Sequence, residues 1–150
     1  MSSELQALYQ EVIMDHYKRP RNWGALEKPD RHVDGHNPLC GDRISIDLAL
    51  DGETVKDVRC QGTGCAISVA SASVMSEIVK GKSRAEIDAL FEKFHDVVIG
   101  KVGEVDQEQL GKLAVFAGVA QFPARVKCAT LAWHAVIAAL ESEADSVTTE

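Results

Sequence analysis

Apolar positions recur along the chain with two periods, and the switches between them mark out the elements. Leu5, Leu8, Tyr9, Val12 and Ile13 repeat at helical spacing, and Ser3 with Gln6 three residues on forms a capping-box pattern. A first amphipathic helix is predicted from there to near Tyr17, and Pro20, in the basic turn 18–21, cannot continue it. His16 lies one turn beyond Val12 and Ile13 and reads as a packing residue. From 23 to 34 the signals are those of a loop: Gly24, Pro29, Asp30 and Asp34-Gly35. After Asp42 the period becomes two, with Ile44, Ile46, Leu48 and Leu50 on one face and Ser45, Asp47 and Ala49 on the other. Asp51-Gly52 is a hairpin turn, and 55–60 is the return strand, with Cys60 on its apolar side as a small core residue.

Gly62-Thr63-Gly64 then makes a glycine-rich turn into a helix over 65–79, whose many Ala and Ser residues suit close packing on a sheet. Ser83-Arg84-Ala85-Glu86 is a second capping box, opening a helix through Leu90 to Phe94. Residues 95–106 read as a loop with a short strand at 97–99. Asp106 is the expected cap of a helix carrying Leu110, Leu113, Ala114 and Ala117, broken at Phe122-Pro123. Cys128 is expected to open the last helix, with Leu131, Ala132, Ala135, Val136 and Ala139 facing inward. Residues 1–4 and the polar tail 141–150 are expected to fray. No repeat or linker divides the chain, so one domain over 1–150 is the expectation.

Composition narrows the function. The formal net charge of −7 disfavours binding to nucleic acid, which runs on clustered Lys and Arg. No apolar run approaches the roughly 20 residues of a membrane span, and Met1-Ser2-Ser3-Glu4-Leu5 lacks the basic-then-apolar order of a secretory signal. A cytoplasmic protein is expected, in which four cysteines serve as ligands, nucleophiles or core residues rather than as disulfides.

Three of those cysteines sit in distinctive company. Asn37-Pro38-Leu39-Cys40-Gly41-Asp42 puts a thiol and a carboxylate two residues apart on a turn. Cys65 follows Gly62-Thr63-Gly64, and Cys128 follows Arg125-Val126-Lys127, each at an expected helix start. Cys40, Asp42, Cys65 and Cys128 are therefore expected to converge on one metal ion. Zinc takes four such donors, and a helix N-terminus favours thiolate over thiol. Three thiolates and a carboxylate overcompensate a dication, and Arg43, Arg125 and Lys127 flank the ligands to offset the excess. The lone carboxylate suggests a bond that opens. His32 and His36 lie near the turn and read as neighbours of the site or solvent-facing residues. Thiolate sites accept zinc and iron alike, so spacing does not name the metal. A hydrolytic or deaminating zinc enzyme is the least favoured class, because neither His-Glu-x-x-His nor a His-x-Glu with Pro-Cys-x-x-Cys is present.

At these residues the chain resembles the iron–sulfur assembly family typified by the IscU and NifU N-terminal scaffolds, and within it the SufU branch. The likeness runs over 5–140. It is carried by Val12-Ile13-Met14-Asp15-His16-Tyr17, by the turn 37–42, by Gly62-Thr63-Gly64-Cys65-Ala66-Ile67-Ser68, and by the stretch from Phe122-Pro123 through Cys128 to Trp133. A longer gap between Cys65 and Cys128, with extra residues around 81–105, and Lys127 in place of a histidine separate it from the IscU pattern. His134, where a basic residue is frequent, and Cys60, where a larger core residue is common, are minor departures.

The resemblance implies an α+β fold with a small antiparallel sheet packed against several helices. It implies zinc on Cys40, Asp42, Cys65 and Cys128, with an iron–sulfur cluster on the same ligands as the alternative. It implies that Cys40 accepts persulfide sulfur from a pyridoxal-phosphate cysteine desulfurase of the SufS type, a histidine of which takes over a place on the zinc. Arg125 is implied in docking, and Lys127 lies beside the ligands. Downstream, the implied recipients are a SufBCD-type assembly machinery or iron–sulfur apoproteins; a scaffold on which a transient cluster is built is the other function implied.

Overall fold

The alternation after Asp42 becomes the central strand of a sheet. The computed structural model describes residues 3–101, 110–141 and 146–148. In chain order the elements are α1 (Ser3–Lys18), β1 (Arg31–Asn37), β2 (Asp42–Asp51), β3 (Thr54–Thr63), α2 (Ala66–Val79), α3 (Arg84–Val98), a 3-10 segment (Gly111–Gln121), α4 (Pro123–Glu141) and β4 (Ser146–Thr148). The sheet order is β3-β2-β1-β4, with β1, β2 and β3 antiparallel and β4 parallel to β1 at the edge. This is the α+β architecture expected.

One face of the sheet is covered by α2 and α4. Val33, Ile44, Ile46, Leu48, Val58 and Cys60 point into that layer and are fully buried. A register shift at Ala49/Leu50 takes Leu50 out of strict alternation and leaves it half-buried. The small residues of α2 do what their size permits: Ser71 Oγ donates to the carbonyl of Ala129 at 2.5 Å, tying α2 to α4 at close range. Gly35 performs the same service for β1, because a Cβ there would meet Ile44 O at 3.1 Å and Leu131 Cδ1 at 3.2 Å. α4 thus rests directly on the end of the sheet where the cysteine turn lies. α1 packs on α2, and α3 against α4 and the 3-10 segment, where Phe94, Phe116 and Trp133 form an aromatic cluster.

Several boundaries differ from the sequence reading, each for a local reason. The loop expected over 23–34 gives way to β1 at Arg31. Its inward positions after Val33 are Gly35 and Asn37, so the apolar alternation that betrays a strand is missing. The strand expected at 97–99 is instead the last turn of α3. Ile87, Leu90, Phe91, Phe94, Val97 and Val98 continue one helical face, and the Ile99 N–H closes on the carbonyls of His95 and Val97. The capping box of Ser83 and Glu86 is present as predicted. The segment carrying Leu113, Ala114 and Ala117 is a 3-10 coil rather than an α-helix, and its expected cap, Asp106, lies outside the described residues. β3 runs through Gly62 to Thr63 instead of ending at Cys60. The tails are not wholly frayed either: Ser3 and Glu4 are in α1, and β4 lies along β1.

The last helix starts at Pro123 and not at Cys128. Proline is at home in a first helical turn, where its missing N–H has no partner to lose. Cys128 consequently sits in the second turn, and the helix-dipole argument has no footing there.

On the outer face, His32 bridges two carboxylates across β1 and β2: Nδ1 is 2.5 Å from Asp47 Oδ1 and Nε2 3.0 Å from Asp34 Oδ1. The bond to Asp47 raises the His32 pKa first, burial opposes it, and the Asp34 charge adds to the rise. A raised folded-state pKa means stabilisation that is full below the ordinary histidine value of about 6.5 and lost as pH rises through the folded value. His32 is 46% exposed, so the contribution is at most about 1 kcal/mol. Denaturation of wild type and His32→Gln across pH should show a gap on the acid side that closes toward alkaline pH. A gap constant with pH would refute the ion-pair assignment.

Candidate metal centre

Asn37 and Asp42 pair as the last and first residues of β1 and β2, and the turn between them closes with Gly41 N–H on Asn37 O at 2.9 Å. Gly41 has φ +74°, a conformation that L side chains rarely adopt. The turn carries Cys40 into solvent and returns Asp42 to the interior, where it is fully buried.

Both Asp42 oxygens are held. Oδ1 accepts the Cys65 backbone N–H at 2.9 Å, and Oδ2 accepts Asn37 Nδ2 at 3.2 Å. Gly64 makes room for this, since a Cβ there would lie 2.4 Å from Ser68 Oγ and 2.6 Å from Asp42 Oδ1. Cys65 is the N-cap of α2, half-buried, and its side chain makes no capping hydrogen bond. α4 brings in Cys128, fully buried, with Asn37 Nδ2 at 3.5 Å from its sulfur.

The ligand atoms of Cys40, Asp42 and Cys128 lie within 4.8 Å of one another. Cys65 is outside that trio but at its margin, joined to Asp42 through its backbone. Burial pushes the Cys128 thiol up, and the hydrogen bonds with Asp42 and Cys40 and the Cys65 charge push it further. A buried carboxylate beside the Cys128 sulfur, which ionises only at a penalty, and two further thiols is a donor set that a thiophilic dication satisfies. The residues therefore fit zinc. Arg125 is exposed; the Cys65 charge first, then its hydrogen bond to Cys65 and the Cys128 charge, raise its pKa. Lys127 is exposed on α4. A cleft of about 680 Å³ opens beside Cys65, lined among others by Tyr9, Ile13, Phe122 and Arg125. Among the described residues, Leu39 and Phe122 are the most exposed large apolar side chains, at 63% and 61%.

Among the described residues no histidine joins the trio. His16 is buried against α2, with Nδ1 2.7 Å from Ser73 Oγ, and burial lowers its pKa. His36 lies in β1 opposite Arg43. Sequence reasoning missed Asn37, whose only signal was its place at the start of the turn.

The family model described as the NifU-like N terminal domain matches residues 8–140. The chain belongs to this family. Among NifU-like relatives, it is 46% identical over 135 residues, 90% of each chain, to the zinc-dependent sulfurtransferase SufU of Bacillus subtilis (strain 168). It is 42% identical over 144 residues, 96% of this chain and 89% of the relative, to the iron–sulfur cluster assembly scaffold protein IscU of Streptococcus pyogenes serotype M1. A solved NifU-like fold superposes with TM-score 0.82 at 34% identity, covering 93% of this chain and 100% of the other. It is described as an iron–sulfur cluster assembly scaffold protein for the SUF system, from Fervidobacterium islandicum AW-1. Among the described residues no helix is long and apolar enough to cross a membrane.

Proposed function

We propose that this NifU-like chain is a zinc-dependent sulfurtransferase of iron–sulfur cluster biogenesis that receives persulfide sulfur on Cys40 from a pyridoxal-phosphate cysteine desulfurase. The carrying observation is an asymmetry of exposure: Asp42 and Cys128 are fully buried, while Cys40 is open to solvent on its turn. Bound zinc would keep the sulfurs anionic near neutral pH and neutralise the buried carboxylate. Cys40, Asp42, Cys65 and Cys128 are its proposed ligands. The transfer itself is thiol–disulfide exchange. Cys40 Sγ attacks the outer sulfur of the donor persulfide, a new S–S bond forms at Cys40, the donor's S–S bond breaks, and the donor cysteine leaves as thiolate. No net electrons move.

Arg125, exposed beside Cys65 and Cys128, is the proposed docking cation, and Leu39 and Phe122 supply apolar contact around it. Lys127 adds a positive charge next to Cys128 along the chain. The names of the scaffold relatives support a second reading, in which the three sulfurs hold a transient cluster for transfer to apoproteins.

Incubation with a desulfurase and cysteine, followed by peptide mass mapping, separates the two. The sulfurtransferase reading expects stoichiometric zinc in the protein as purified and one added sulfur on Cys40. Iron in place of zinc, a stable cluster after anaerobic reconstitution, and no sulfur on Cys40 would establish the scaffold instead.

A further inference from the structure

Asn37 is fully buried, and its amide nitrogen faces two ligands at once: Asp42 Oδ2 at 3.2 Å and Cys128 Sγ at 3.5 Å. A side-chain amide has two N–H donors, so both are committed. The two acceptors fix the amide's orientation, because turned over it would set its oxygen against a carboxylate and a sulfur. Its own Oδ1 is buried with no hydrogen-bond partner among the described residues. Burying an amide with one end orphaned is unfavourable unless the other end does something an apolar side chain of equal size does not. Closing the turn is not that task, since the closing bond runs through the backbone from Gly41 N–H to Asn37 O.

We propose that Asn37 is a positioning residue that holds Asp42 and Cys128 in place as ligands of the metal while the bond to Cys40 opens. Asp42 is clamped at both oxygens, by Cys65 N–H and by Asn37. Cys128 is held by the rigid start of α4 and by the same amide. Cys40 receives neither donor and rides on an exposed turn. Hydrogen bonds of this kind orient metal ligands and draw charge from them. The inference rests on the zinc sulfurtransferase reading, in which Cys40 is the ligand that opens, and adds the residue that keeps two of the others in place.

The test is chelator competition on zinc-loaded wild type, Asn37→Ala and Asn37→Leu, with iodoacetamide alkylation mapped by mass spectrometry as the chelator withdraws metal. Asn37→Leu keeps the size and branching of the side chain and removes both donors without adding charge. Both variants should bind zinc about 10–100-fold more weakly, and Cys128 should be alkylated together with Cys40, whereas wild type releases Cys40 first. Unchanged affinity with Cys40 still released first overturns the proposal. Should both variants fail to fold, isotope-labelled, cadmium-loaded wild type decides by magnetic resonance. A scalar coupling from an Asn37 side-chain amide proton to the metal through the Cys128 sulfur supports the proposal, and its absence overturns it. Wild type that binds no zinc defeats the sulfurtransferase reading as well; tight wild-type binding with unmoved variants defeats this inference alone.

Discussion

Replacing Cys40 by alanine should abolish stimulation of a cysteine desulfurase, lowering the rate at least about 100-fold, the scale set by removing an attacking group. The reason is access. Asp42 and Cys128 lie under the surface, Cys65 is half-covered at the start of α2, and only Cys40 stands on a turn that a donor cysteine can approach. A matched Cys60→Ala variant should stimulate fully. Cys60 is completely buried in β3, its sulfur near Ala72 O at 3.9 Å, and burial pushes its thiol up to about 12. It is therefore protonated and out of reach at working pH. Turnover with increasing NifU-like protein, at fixed desulfurase and cysteine, provides the measurement. Stimulation that survives in Cys40→Ala would move the acceptor to another residue and end the case built on exposure.

Gly62→Ala should be the most damaging single-methyl change in the sheet, at about 3 kcal/mol of stability. Gly62 pairs with Ile44 and has φ +143°, and a Cβ there would lie 1.9 Å from Arg43 O. That oxygen belongs to the backbone of β2 and cannot rotate aside, so the strands must part. They part beside Asp42 and just before Gly64 and Cys65, and zinc affinity should fall with stability. Gly81→Ala is the control. Gly81 also has positive φ, +88°, but a Cβ there meets nothing within 4 Å, which leaves a backbone penalty of about 1–2 kcal/mol. Denaturant unfolding of the two variants compares strain with and without collision. Equal losses would show that the close approach at Gly62 relaxes freely.

How far the chain could be read in advance depended on whether a residue's neighbours were local. The β2–β3 hairpin and α2 declared themselves by periodicity and turn residues, and the Ser83 capping box by its spacing. Cys40 and Asp42 could be read as partners because the turn itself unites them. β1 was hidden because Gly35 and Asn37 occupy inward positions for reasons supplied by α4: one lets Leu131 approach, the other meets Cys128. The start of α4 was placed too late because Cys128 drew attention from Pro123, whose ring suits a first helical turn. The buried amide of Asn37 left no mark in the sequence, since a polar residue before proline reads as ordinary loop.

The contact between Asn37 and Cys128 spans 91 residues. An ion held by Asp42 and Cys128 would act as a removable cross-link closing a loop nearly as long, and such a link raises stability chiefly by narrowing the unfolded ensemble. Melting temperature would then serve as a gauge of occupancy. A partner that borrows a ligand would slacken the joint between strand and helix at the moment of exchange.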